Sequence, residues 1–314
     1  MKAYVGVDIS KGTLDVQMGE VFFQVINQEQ GWREFIKALK KFISAGNDLG
    51  AVVCEASGGY EKEWVMRLQK AGYPVHVAHA NKVRAFARCK GYLAKTDKID
   101  AKLIQTYAAT MQVEADEPIL SAEQIQLGDW LKRREQLGKD RQREINHLEH
   151  CTDALIKRSL KAHIHWLDKA IANIEQAIEQ YKGTPDMRST HALLTSVPGV
   201  GDLTAWHLIA FLPELGRSNH KSLAALVGVA PFNHDSGKHK GKRFIQGGRA
   251  LARRTLYMSA LACTRWNPDL KAFYQRLRAA GKPAKVALIA VLRKLISMLN
   301  SILQRQSPWM ENLT

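Results

Sequence analysis

Apolar positions alternate with period two at the start of the chain and with period three to four through most of the remainder. "AYVGVDI" reads as a strand, "SKGT" as a turn, and "LDVQMG" and "VFFQVIN" as two further short extended runs. Asn27 is placed to cap a helix through "GWREFIKALKKFISAG", where Trp32, Phe35, Ile36, Leu39 and Phe42 mark one face. A buried strand "AVVCEA", a helix "EKEWVMRLQKAG", a strand "PVHVAH" and further helices follow. The predicted order is βββαβαβα, a meander and then alternating units, as an RNase H-like domain requires.

From about Ser121 to Lys182 strand character disappears. Ile164, Leu167, Ile171, Ile174 and Ile178 recur at three-four spacing, the seam of a coiled coil or a long helical hairpin. An antiparallel hairpin within one chain and a dimer interface both satisfy this pattern. "KGTPD" at 182–186 closes the arm, with Thr184 as cap and Pro185 at the first helical position of the next element. The region beyond Met187 is mostly helical. The expected fold class is α/β plus all-α: an RNase H-like domain at 1–118, a long helical coiled-coil arm at 119–185, and a mostly helical domain at 186–314.

The chain is 46% hydrophobic and 24% charged, which excludes a disordered polypeptide. Its net charge of +16 points to a polyanionic partner. The charge is concentrated: residues 236–314 hold 16 Lys and Arg against 2 acids, leaving +2 for all that precedes. Cys54, Cys89, Cys151 and Cys263 are too scattered for a zinc or dithiol motif, so a reducing cytoplasm is the expected location. "MKAYVGVDIS" meets an acid at its eighth residue and does not read as a signal peptide. Arg293 and Lys294 interrupt the most apolar run, so no membrane span or membrane partner is expected.

Four acids change the picture. Asp8 ends the first strand, Glu55 ends the fourth, and Asp97 and Asp100 in "KTDKID" share one face of a helix start. Singly, such residues are usually turn, cap or helix-dipole groups. Together, in the RNase H topology, they converge, and a cluster of carboxylates persists when cations neutralise it. Magnesium takes hard oxygen ligands, and two ions about 4 Å apart would clamp the attacking and leaving oxygens of a phosphoryl transfer. Lys95, Lys98 and Lys102, with Arg84, Arg88 and Lys90 upstream, can hold a phosphodiester backbone beside them.

The C-terminal region offers a second set. In "VPGVGDLTA" the backbone amides at Gly199 and Gly201 can take a phosphate, as in a helix-hairpin-helix motif, or the segment is a plain helix-helix turn. In "HDSGKHKGKR" the Ser236 hydroxyl lies among Lys238, Lys240, Lys242 and Arg243, a nucleophile among cations or a solvated polar turn. Arg249, Arg253 and Arg254, and Arg276 and Arg278 in the next helix, recur at helical spacing as expected phosphate contacts.

"GVDISKGTLDV", "CEASGGYE" and "AKTDKIDAKLI" resemble the RuvC-like blocks of the DEDD insertion-sequence transposases of the one-ten group, relatives of the Piv-type DNA invertases. "SVPGVGDLTA", "ALVGVAPFNHDSGKHKG" and "RALARRTLYMSAL" resemble that family's C-terminal transposase domain. The resemblance spans nearly the whole chain. It implies a DNA recombinase with a magnesium-binding tetrad at Asp8, Glu55, Asp97 and Asp100 and a serine nucleophile at Ser236. It also implies a structured non-coding guide RNA, a bridge RNA, that pairs with donor and target DNA. Recombination needs several cuts, so a homo-oligomer, dimer or tetramer, is expected; tetrad and serine meet within one chain or across two, and the long arm between the domains favours the second. Two further readings stand beside it: a RuvC-type junction-resolving nuclease using metal-activated water, and a basic nucleic-acid-binding module without catalysis.

Overall fold

The computed structural model describes residues 2–91, 97–116, 120–181, 183–232, 241 and 243–311, the side chains of Asp97 and Lys98 excepted. The chain divides into two compact units, Met1–Pro118 and Ile119–Thr314.

The first unit is a mixed α/β layer structure. Its elements are β1 (Ala3–Ile9), β2 (Thr13–Met18), β3 (Val21–Ile26), α1 (Glu29–Ser44), β4 (Leu49–Glu55), α2 (Lys62–Lys70), β5 (Val75–Ala78), α3 (Ala80–Cys89) and α4 (Asp97–Met111). The strands lie in the order β3-β2-β1-β4-β5. β1 pairs antiparallel with β2 and parallel with β4, an arrangement compatible with the RNase H-like domain expected from the pattern. Successive side chains on a strand point to opposite faces. Val5, Val7, Leu14, Val16, Val52 and Cys54 therefore meet Trp32, Phe35 and Leu39 of α1 and Trp64 and Leu68 of α2. On the other face Tyr4, Ala51, Val53 and Ala78 meet Val83 of α3 and Leu103, Ile104 and Tyr107 of α4. Asn27 is not the cap of α1: Gln28 holds that position without a side-chain bond, and the Asn27 side chain reaches to neighbouring loops instead.

Among the described residues, the second unit is helical apart from a two-stranded ribbon. α5 (Ala122–His150) and α6 (Ala154–Gln180) form the long arm, which is an antiparallel hairpin within the chain. Ion pairs between Arg134 and Glu175 and between Arg141 and Asp168, and the His163–Glu144 contact, fix that register. Leu167 and Ile178 of the expected seam are buried, while Ile164, Ile171 and Ile174 are half-buried. Leu127, Leu131 and Ile178 belong to the same core as the helices that follow, so the base of the arm is anchored there.

Those helices are α7 (Pro185–Thr195), α8 (Asp202–Phe211), α9 (His220–Val227), α10 (Ala250–Trp266), α11 (Pro268–Ala279) and α12 (Ala284–Arg305). The ribbon strands β6 (Pro231–Phe232) and β7 (Phe244–Ile245) lie between α9 and α10. Thr184 caps α7 by accepting from the Met187 amide, with Pro185 following as the pattern predicts. α12 is long and apolar enough to cross a membrane by composition, yet Leu292, Leu295, Ile296 and Leu299 lie in the core of the unit.

Candidate active site

The same alternation that builds the sheet aims its acids. On β1, Tyr4, Gly6 and Asp8 share the face covered by α4, and on β4, Ala51, Val53 and Glu55 share it too. Parity alone therefore puts Asp8 and Glu55 on one side, at the ends of adjacent parallel strands. Gly6 determines how close the helix comes. A Cβ at that position would stand 2.3 Å from the Ala101 carbonyl oxygen and 2.5 Å from the Gln105 amide nitrogen, so only glycine admits α4 at this depth. The Gln105 side-chain amide then locks the register by donating to the carbonyls of Tyr4 (3.0 Å) and Gly19 (3.2 Å). With Ala101 held over Gly6, the preceding Asp100 is carried toward Asp8.

The electrostatics of Asp8 record this convergence. Its pKa is pushed up to about 6, first by burial and then by the carboxylates of Asp100, Asp15 and Glu55, against one lowering hydrogen bond from the Ile9 backbone. Like charges held together disfavour ionisation of one another. Asp15 is an acid that the sequence analysis did not single out. It lies opposite Asp8 in the β1–β2 ladder, is only 3% exposed, and accepts a 2.8 Å hydrogen bond from the Gln24 side chain. The available signal was an acid on the alternate positions of a strand whose Leu14 and Val16 are buried.

Asp8, Glu55 and Asp100 are thus brought together, and Asp97 opens α4 one turn earlier, its side chain outside the described residues. Among the described residues no three His, Cys, Asp or Glu side chains already stand around a common coordination point. The donor set is nonetheless all carboxylate, the hard-oxygen chemistry that suits magnesium, and its mutual repulsion is what a divalent ion would relieve. Cations flank it: Arg84 Nη2 lies 4.0 Å from Glu55 Oε1, and Arg88, Lys90 and Lys102 are exposed nearby in sequence on α3, its C-cap and α4. Lys95 and the Lys98 side chain fall outside the described residues.

Glu61, just past Glu55 in the chain, organises the turn between β4 and α2. Its Oε2 accepts from the Ser57 amide (3.2 Å), the Ser57 hydroxyl (3.0 Å) and the Gly59 amide (2.9 Å). Burial pushes the Glu61 carboxyl up, but these bonds outweigh it and leave the pKa below the usual range.

In the second unit, Ser236, Lys238, Lys240 and Lys242 lie outside the described residues, and Arg243 is exposed at the edge of that segment. The flanks of the serine loop are pinned. Pro231 and Phe232 pair with Ile245 and Phe244, and the Arg249 amide donates to the Leu226 carbonyl at 2.7 Å. The arginines expected to contact phosphate have partners within the unit. Arg249 forms a two-pronged ion pair with Glu214, both bonds 2.6 Å, and Arg254 pairs with Glu135 of α5 at 2.7 Å. Arg253 donates to the carbonyls of Val227 and Gly247, closing the end of α9 onto the loop. Arg276 lies over the Phe273 ring at 5.3 Å, and Arg278 donates to the Lys282 carbonyl. The balancing acids come from far earlier in the chain, where the local charge count missed them.

Gly199 also has a packing role. It adopts φ +96°, and a Cβ there would stand 2.7 Å from the Cys263 amide nitrogen, so the turn between α7 and α8 is pressed onto α10. Gly201 is exposed as the N-cap of α8, but the Asp202 carboxylate already complements that helix end.

Residues 5–156 match the DEDD transposase domain of IS110 elements, and residues 191–275 match the Transposase IS116/IS110/IS902 family. Over 98% of both chains, the protein is 28% identical to the pilin gene-inverting protein of Moraxella bovis, and to the same degree to that of Moraxella lacunata. A 36% identical segment, covering 36% of this chain and 28% of the relative, links it to an insertion element IS110 uncharacterized 43.6 kDa protein of Streptomyces coelicolor. The two matched regions contain the acidic face and Ser236 with its described flanks, in that order. The chain belongs to the IS116/IS110/IS902 family of DEDD transposases, enzymes that act on DNA.

Proposed function

We propose that the protein is a site-specific DNA recombinase that cuts and rejoins DNA through its acidic face and the Ser236 hydroxyl. The observation that carries this reading is the gathering of Asp8, Asp15, Glu55 and Asp100 on one end of the sheet, where burial first and the neighbouring carboxylates second lift Asp8 to about 6. Asp8, Glu55, Asp97 and Asp100 hold the divalent cations, with magnesium the ion their oxygens suit. When bound, the cations supply charge neutralisation at the attacking and leaving oxygens of the scissile phosphate.

Ser236 Oγ forms a bond to phosphorus as the bond from phosphorus to the leaving deoxyribose oxygen breaks. The hydroxyl proton departs and the leaving oxygen gains one, so one phosphodiester replaces another and the energy for rejoining is kept. Lys238, Lys240, Lys242 and Arg243 stabilise the charge on the phosphorus oxygens, while Arg84, Arg88 and Lys90 hold the backbone beside Glu55. Site choice comes from a structured guide RNA that pairs with donor and target DNA, and the working unit is a homo-oligomer in the cytoplasm.

The covalent step gives the decisive test. Incubated with its element's end DNA and magnesium and quenched in denaturant, the wild-type chain yields a protein–DNA adduct that Ser236→Ala and Asp8→Asn lack. Cleavage without an adduct, unchanged in Ser236→Ala, would instead establish attack by water.

A further inference from the structure

The two turns that follow the acidic strands are tied together by one side chain. Asn27 Nδ2 donates to the Ser10 carbonyl at 2.9 Å and to the Tyr60 carbonyl at 3.3 Å. Asn27 Oδ1 accepts from Trp32 Nε1 at 2.9 Å, and its backbone amide donates to the Gly12 carbonyl at 2.8 Å. Ser10 lies just past Asp8, and Tyr60 just past Glu55 and beside Glu61. One amide group thus spans the β1–β2 turn and the β4–α2 turn, with its far end held by a tryptophan of the core.

Burial does not hold these turns in place. Ser10, Lys11, Gly12 and Gly58 are exposed, and the Tyr60 side chain is 52% exposed. Exposed turns with few apolar contacts open easily unless hydrogen bonds restrain them. Within each turn the restraints are local, the Ser10 hydroxyl accepting from the Gly12 and Thr13 amides in one and Glu61 accepting its three bonds in the other, and Asn27 is the side chain that bonds to both turns. A polar side chain would not be needed at position 27 merely to start α1, since Gln28 occupies the cap.

We propose that Asn27 is a positioning residue of the acidic site: by bridging the carbonyls of Ser10 and Tyr60 it sets the separation of Asp8 and Glu55 and so the affinity for divalent cations. This rests on the reading that those carboxylates share ions. Asn27 touches neither cation nor DNA in this account. Groups that orient metal ligands from behind typically change metal affinity by about 10–100-fold when removed.

The substitution that isolates the bridge is Asn27→Asp, which keeps the acceptor for Trp32 Nε1 and loses both donors. Manganese binding to the full-length protein is measured by calorimetry for wild type, Asn27→Asp and Asp8→Asn, alongside thermal unfolding. The expected result is a folded Asn27→Asp chain whose manganese affinity is at least about tenfold weaker, with Asp8→Asn abolishing the same binding. A folded Asn27→Asp chain with wild-type affinity, while Asp8→Asn loses it, overturns the positioning role alone. Wild-type binding that survives in Asp8→Asn overturns the shared-ion reading, and the inference with it. If Asn27→Asp does not fold, Glu61→Gln loosens the same turn from its other side and is judged by the same outcomes.

Discussion

Gly6 of β1 and Ala101 of α4 are in backbone contact: a Cβ on Gly6 would come within 2.3 Å of the Ala101 carbonyl oxygen. A side chain of any size therefore pushes the start of α4 off the sheet and moves Asp100 from Asp8. Gly6→Ala is expected to cost at least the roughly 1–3 kcal/mol typical of overpacking and to weaken divalent-cation binding. Urea unfolding and manganese titration check this, and a variant with wild-type values in both would show that α4 need not seat so closely.

The raised pKa of Asp8 gives the metal-free protein a pH dependence of definite sign. Between about pH 4 and 6 the folded protein keeps a proton on Asp8 that the unfolded chain releases. Stability therefore falls as pH rises through this window and levels off above 6. In Asp8→Asn this component of the slope disappears, which thermal unfolding across pH in a chelator will show. Magnesium should restore stability to the wild type above pH 6 and leave Asp8→Asn unmoved.

Asp15 contributes to that shift from across the ladder. Asp15→Asn retains an acceptor for the Gln24 side chain but removes the charge, so the Asp8 pKa should fall toward the ordinary carboxylate range. Carboxyl NMR titration reads this directly. No change would mean that burial and the carboxylates of Asp100 and Glu55 lift Asp8 without Asp15.

Arg249 distinguishes an internal ion pair from a DNA contact. Its partner Glu214 has only 18% of its side chain exposed, so Arg249→Ala leaves a carboxylate half-buried without its cation. The expected loss is about 1–3 kcal/mol of stability, with the Glu214→Ala/Arg249→Ala pair showing non-additive coupling. A phosphate contact would behave otherwise: its removal would lower the salt dependence of duplex binding by about 0.9 in the log-log slope. Here the slope should stay as in wild type.

Much of this was legible because strand and helix periodicities are local. The alternation in "AYVGVDI" and "AVVCEA" sets the parity of Asp8 and Glu55, and the spacing of Trp32, Phe35 and Leu39 sets the buried face of α1. What escaped depends on contacts distant in the chain. Nothing near Arg249 or Arg254 announces Glu214 or Glu135, and the glycine at 199 reads equally as a phosphate turn until Cys263 is seen against it. The Ile164–Ile178 stripe fits a hairpin or a dimer because either buries the same seam. Asn27 looks like a helix cap because caps and loop bridges draw on the same short polar side chains.

The central claim is that Asp8, Glu55 and the acids at the start of α4 serve one cation site. Ferrous iron can replace magnesium at hard-oxygen sites and, with ascorbate and peroxide, cuts the polypeptide close to where it is bound. The predicted outcome is backbone cleavage concentrated around residues 8, 55 and 97–100, suppressed by excess magnesium and lost in Asp8→Asn. Cuts confined to one of these segments, or the same pattern in Asp8→Asn, would contradict it.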